Sequence, residues 1–178
     1  MYCVVHGGVD VELRTQSVEY LTSLPFDGYA IGGSLGKNSE ELINLLEWMM
    51  PMFDEGHRKN RPRHLLGIAD EESIVNAVPH GIDTFDSCYP TRLARHGTLL
   101  TRNGSIHIKS GEKYSKAYGE PIDSECTCST CQHYDRAYLW HLYKAKEPLF
   151  MQLASIHNIH YMNDMMAQQR KDILDGKI

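Results

Sequence analysis

Short apolar runs and longer amphipathic stretches take turns along the first half of the chain. Tyr2-Cys3-Val4-Val5 is a strand-sized run stopped by Gly7-Gly8, and Gly28-Tyr29-Ala30-Ile31 is a second, stopped by Gly32-Gly33. His64-Leu65-Leu66-Gly67-Ile68 and Ile82–Asp86 read as third and fourth strands. Between the first two, Leu13, Tyr20, Leu21 and Leu24 mark one face of a helix from Val11 that Pro25 ends. Asn38 or Ser39 can cap the next helix, whose first turn carries Glu40 and Glu41 and whose buried face is Leu42, Leu45, Leu46 and Met49. A charged loop, Asp54–Arg63, leads into the third strand. Asp70 then caps a helix running through Ile74, Ala77 and Val78.

Strands this short and apolar lack the alternation of a half-exposed sheet, so the pattern predicts an α/β fold with a parallel sheet under helices. A doubly wound sheet and a TIM-type (β/α)8 barrel both satisfy it. Polar or glycine signals after the strand ends (His6-Gly7-Gly8, Gly32-Gly33, Gly67, Asp86) favour the barrel, whose sites sit on that rim. Four strands make half of one.

After Arg95 the pattern changes. Leu99–Thr101 and Ser105–Ile108 flank Asn103-Gly104, a hairpin signal. A polar stretch follows, and then two helices, 135–146 and a long methionine-rich 148–175, whose methionines read as core packing. The expected organisation is therefore residues 1–97 as β/α units and 98–178 as a hairpin with a helical subdomain.

Composition is that of an ordinary globular protein, with 42% hydrophobic and 23% charged residues. A net charge of −5 argues against non-specific nucleic-acid binding over the whole surface, but residues 92–116 hold Arg92, Arg95, Arg102, Lys109, Lys113 and Lys116 against the single acid Glu112. No run approaches the roughly 18 apolar residues of a membrane span, and Met1 leads straight into a strand rather than a signal peptide. The five cysteines are odd in number and three fall within six residues, which points to a reducing, cytoplasmic setting and a metal site rather than disulfides.

Two stretches carry candidate chemistry. Cys126-Thr127-Cys128-Ser129-Thr130-Cys131 is a C-x-C-x-x-C run whose thiolates can meet one tetrahedral ion, best zinc. His133 is too close in sequence to complete it, and His157 or His160 on the long helix could fold back as a fourth ligand. Such a closed site is structural. The other stretch ends an apolar strand in Asp86, followed by Ser-Cys-Tyr-Pro-Thr and the arginines Arg92 and Arg95. A carboxylate beside arginines suits chemistry on a phosphate-bearing substrate; the plain alternative is a capped turn and a basic loop.

Taken in order, Gly-Gly, Ile-Gly-Gly, Leu-Gly-Ile, Phe-Asp-Ser-Cys-Tyr-Pro-Thr-Arg, C-x-C-x-x-C and His-Asn-Ile resemble the tRNA-guanine transglycosylases over nearly the whole chain. The resemblance implies the C-terminal half of a zinc-bearing eight-stranded barrel that exchanges wobble guanine of tRNA for a 7-deazaguanine, queuine or its aminomethyl precursor. By position, Asp86 matches the nucleophile that holds the ribose covalently, chemistry that splits one hard displacement into two. Gly67, Ile68, Ala69, Asp70, Glu71, Glu72 and Ser73, and Thr91, Arg92, Leu93, Ala94 and Arg95, match RNA-contacting segments. Gly33 matches a glycine whose backbone contacts the base. Cys126, Cys128, Cys131 and His157 match the zinc ligands.

Three departures stand out. His6 replaces the family's base-reading glutamine, with fewer hydrogen-bonding options. Gly36 stands where bacterial members are bulkier, as in members that accept queuine. The residues of the family's N-terminal half, with its general acid/base aspartate and a base-reading aspartate, are not in this chain. The 178 residues are then a truncated product, one half of a split protein that needs a separate N-terminal-half chain, or part of a longer sequence, with a homodimer also expected; the alternative is a non-catalytic zinc-containing tRNA-binding or partner subunit. A barrel glycosidase is disfavoured because Asp86 has no evident carboxylate partner.

Overall fold

A computed structural model describes residues 1–54 and 56–178, with His57 described by its backbone alone. Two units emerge, Met1–Ser87 with Ile178, and Cys88–Lys177.

The first unit is a parallel four-stranded sheet of β1 (Tyr2–Val5), β2 (Gly28–Ile31), β3 (Arg63–Leu65) and β4 (Thr84–Phe85), ordered β1-β2-β3-β4. Sequence order and spatial order coincide, so these strands contain no reversal of the kind that marks a doubly wound sheet. The register sets Val4, Ala30, His64 and Thr84 in one row across the sheet. From the neighbouring positions, Cys3, Val5, Tyr29, Ile31 and Leu65 enter the core. There they meet α1 (Val11–Thr22) through Val18 and α2 (Ser39–Met49) through Leu42, Leu45, Leu46 and Met49. Asn38 is the α2 cap, accepting from the Glu41 N–H at 2.9 Å, and Asp70 caps α3 (Glu71–Ala77) through the Ser73 N–H at 3.0 Å.

Several expectations shift. The buried face of α1 is Arg14, Val18 and Thr22, while Leu13 and Tyr20 are 56% and 67% exposed. Leu21 of the expected face does pack against the core, partly buried, but a wholly buried arginine takes the inward position where Leu13 and Tyr20 were expected. The third and fourth strands are shorter than their apolar runs, ending at Leu65 and Phe85. The charged segment 54–63 carries a 3-10 turn, Gly56–Arg58, and its end, Arg63, opens β3; Glu55 lies outside the described residues.

In the second unit, Tyr89–Arg95 forms α4, where the plain reading of the sequence is a basic loop. Pro90 falls in its first turn, where a missing N–H costs nothing. The hairpin is present as antiparallel β5 (Thr98–Leu99) and β6 (Ile106–His107). Helices α5 (Ser129–His133), α6 (Arg136–Ala145) and α7 (Pro148–Leu174) follow. Leu99, Ile108, Ile122, Leu139, Phe150, Leu153 and Ala154 build the core around the cysteines. Of the methionines of α7, Met162 is buried, Met151 is 48% exposed and Met165 and Met166 are half-buried, so core packing accounts for only part of them.

Candidate active site and metal centre

In the first unit, the parallel register brings His6, Gly33, Gly67 and Asp86 to the C-terminal ends of adjacent strands. Asp86 is 58% exposed, and its Oδ1 accepts from the Gly67 N–H at 2.9 Å and lies 3.1 Å from His64 Nε2. The far side of that imidazole, Nδ1, meets the Thr84 hydroxyl at 2.8 Å. With Nε2–H donating to the carboxylate, Nδ1 accepts from Thr84 and a hydroxyl–imidazole–carboxylate chain orients Asp86. His64 opens the apolar run His64–Ile68, and its place two residues before the loop that follows the strand is the sequence signal for it.

His6 is exposed, with its backbone N–H on the Ser17 hydroxyl at 3.2 Å. A side chain on Gly33 (φ +78°) would come within 3.0 Å of His6 Nδ1, so the ring lies against the glycine. Gly36 (φ +109°) has a local reason to be glycine, since a Cβ would approach Glu41 Cβ at 2.5 Å. Along Gly67–Ser73, Gly67 and Glu72 are exposed and Ile68, Asp70 and Glu71 half-buried, whereas Ala69 and Ser73 are buried.

In the second unit, α4 exposes Arg92 and Arg95, half-buries Thr91 and Leu93, and buries Ala94 completely. The helix is fixed by Asn158, itself fully buried, whose amide donates to Pro90 and Thr98 carbonyls and accepts from the Leu100 N–H, all at 3.0 Å.

Cys126, Cys128, Cys131 and His157 form a buried group able to hold a metal ion, their ligand atoms all within 4.8 Å of one another. His157 Nδ1 lies 3.6, 3.6 and 3.3 Å from the three sulfurs. A tetrahedral ion with metal–sulfur and metal–nitrogen distances of about 2.3 and 2.0 Å has S···N edges of roughly 3.5 Å, so the donor set fits. His157 Nε2 meets the Leu100 carbonyl at 2.7 Å, which reserves Nδ1 for the ion. His160 turns instead to Thr127 and Asp164, and His133 to the Ser129 carbonyl. A hydrogen bond with Cys131 holds the Cys128 thiol down to about 3; the same bond, then burial, pushes Cys131 up, and burial raises Cys126. One thiolate is thus shared among three sulfurs until an ion supplies charge for the others.

A parallel α/β unit presenting a carboxylate at its strand ends, joined in sequence to a helical unit with a three-cysteine, one-histidine metal centre, is the class these features define. Residues 1–178 match the family described as queuine tRNA-ribosyltransferase, and the chain belongs to it. It is 48% identical to the queuine tRNA-ribosyltransferase of Protochlamydia amoebophila, 46% to that of Chlamydia felis and 40% to that of a Roseiflexus species. These alignments cover 99–100% of this chain but only 44–46% of the relatives, so the chain spans less than half their length. Among the described residues, no helix is long and apolar enough to cross a membrane.

Proposed function

We propose that the chain carries the nucleophile, part of the base pocket and the zinc module of a tRNA-guanine transglycosylase, its four strands being part of a (β/α)8 barrel. The observation that carries this reading is Asp86, exposed at a strand end with Gly67 N–H and His64 both on Oδ1, which leaves Oδ2 for attack. In the first half-reaction, a bond forms between Asp86 and the anomeric carbon of the wobble ribose as the bond to guanine breaks. The departing guanine takes up a proton from the general acid/base aspartate that the family carries in its N-terminal half, outside these 178 residues, and that group takes back the proton lost in the second half-reaction. In the second, the nitrogen of an incoming 7-deazaguanine displaces Asp86 and loses its proton, restoring the carboxylate.

His6 and Gly33 contribute to the base pocket. Gly67–Ser73 and Thr91–Arg95 contact the anticodon loop, Arg92 and Arg95 through phosphates and base edges. Cys126, Cys128, Cys131 and His157 bind one structural Zn2+, which, when bound, neutralises thiolate charge and staples α5 to α7. A tRNA substrate and reduced thiols fit a cytoplasmic homodimer, in which the N-terminal half of the family's barrel, outside these 178 residues, completes the site.

The test is to incubate the chain with tRNA bearing wobble guanine, alone and with the N-terminal half of a relative, and look for a denaturation-resistant protein–RNA adduct. The adduct is expected with wild type and absent in Asp86→Ala. No adduct under either condition would overturn the nucleophile assignment and leave the non-catalytic tRNA-binding subunit as the better reading.

A further inference from the structure

Arg14 is wholly buried, and its guanidinium reaches four main-chain carbonyls. Nε donates to Gly8 at 2.7 Å, Nη1 to Val5 at 3.1 Å, and Nη2 to Gly32 at 2.9 Å and Ser34 at 3.1 Å. The planar fork of an arginine can serve carbonyls from several directions at once, which a lysine cannot. Two loops are tied together in this way, the one leaving β1 and the one leaving β2. Gly7 closes over the same side chain so tightly that a Cβ there would lie 2.8 Å from Arg14 Cγ.

The two carbonyls on Nη2 flank Gly33. No peptide among the described residues is cis, and in a planar trans peptide the C=O and N–H point in opposite directions. With the Gly32 carbonyl drawn to Arg14, the Gly33 N–H points away from it. Gly33 is exposed and has the His6 ring against it, so this N–H belongs to the rim where Gly33 and His6 meet. A fixed amide donor there suits a carbonyl-type oxygen, which guanine and 7-deazaguanine share.

We propose that Arg14 is a positioning residue for base recognition: by fixing the carbonyls on both sides of Gly33, it holds the Gly33 N–H toward the exocyclic oxygen of the bound purine. This rests on the transglycosylase reading above, with Gly33 in the base pocket. Arg14 does not touch the base, and its effect is on which base is taken.

The test uses the chain assembled with the N-terminal half of a relative, comparing guanine with 2-aminopurine, which lacks the exocyclic oxygen, as the incoming base. Wild type should strongly prefer guanine. In Arg14→Lys the KM for guanine should rise on the order of 10- to 100-fold, the preference should collapse, and the KM for tRNA should stay within about twofold. A folded, metal-loaded Arg14→Lys protein that keeps both its guanine KM and its preference overturns the proposal. If Arg14 variants do not fold, or if wild type shows no exchange at all, amide NMR of the wild-type chain decides. Guanine should shift the Gly33 resonance and 2-aminopurine should not; no shift, or equal shifts, overturns the proposal. Failure of wild-type exchange with a guanine-specific Gly33 shift sinks the transglycosylase reading while leaving the Gly33 N–H as a base contact, and Arg14→Lys should then abolish that shift; a shift kept in the folded variant overturns Arg14's role.

Discussion

His157 Nε2 lies 2.7 Å from the Leu100 carbonyl while Nδ1 of the same ring faces three cysteine sulfurs at 3.3–3.6 Å. The backbone of the strand-like segment after β5 therefore decides which nitrogen of the histidine meets the ion. His157→Gln offers an amide oxygen, a far weaker ligand for a thiolate-rich ion. Elemental analysis should find about one zinc per wild-type chain and a substoichiometric amount in the variant, with a lower melting temperature for the second unit. Equal metal content would remove His157 from the ligand set. His160→Gln should keep the metal, because His160 bonds Thr127 and Asp164 instead.

Metal uptake should release protons. Near neutrality Cys128 is the thiolate, held down to about 3 by its hydrogen bond with Cys131, while Cys126 and Cys131 are raised and remain thiols. A bound ion needs all three as thiolates, so about two protons leave per ion at pH 7. The sign follows. Protons compete with the metal, affinity climbs with pH through the neutral range, and it falls by about two decades per unit as pH drops. Titration calorimetry in buffers of different ionisation enthalpy measures the count, and a heat independent of buffer would contradict it.

Features legible in the sequence were those whose signal is local. Three cysteines in six residues bring three ligands together whatever the surrounding fold, and Gly32-Gly33 or Gly67 mark strand ends because glycine takes the positive φ found at Gly33 and Gly67 without the cost a side chain adds. Asp86 at a strand end was equally readable. Arg14 was not. An arginine among polar residues reads as solvent-facing, and only the four carbonyls converging on it make burial tolerable. Tyr89–Arg95 was hidden for a related reason, since Pro90 reads as a turn until the chain is seen to place it in a first helical turn. His64 and Asn158 share the same difficulty, with partners 20 to 68 residues away that no local pattern reports.

Asn158 shows what such a distant partner contributes. Its three hydrogen bonds satisfy the Pro90 and Thr98 carbonyls and the Leu100 N–H. Asn158→Ala orphans the Thr98 carbonyl and Leu100 N–H in the interior and the half-buried Pro90 carbonyl, at roughly 1–3 kcal/mol for a buried group left unpaired. A loss on the order of 3 kcal/mol in urea unfolding is expected, with a weaker grip on α4 and hence on Arg92 and Arg95. Asn158→Asp keeps the acceptor but sets a carboxylate against two carbonyls, and should be no milder. A variant within about 0.5 kcal/mol of wild type would show these bonds to be replaceable by water.

His64 offers the corresponding test in the first unit. Its ring links the Thr84 hydroxyl to Asp86 Oδ1, at 2.8 and 3.1 Å, and shares that oxygen with the Gly67 N–H. In His64→Phe the ring volume stays while both hydrogen bonds go, so Asp86 keeps a single backbone donor and gains rotational freedom. Under the transglycosylase reading, adduct formation with wobble-guanine tRNA should slow by roughly 10- to 100-fold, because a small loss of aim at the reacting carbon is costly. Binding of tRNA to Asp86→Asn and to His64→Phe/Asp86→Asn should agree within about twofold, since the RNA contacts lie elsewhere. His64→Gln can still donate toward the carboxylate and should recover part of the rate. Unchanged adduct kinetics in His64→Phe would mean that Gly67 alone suffices to hold the nucleophile.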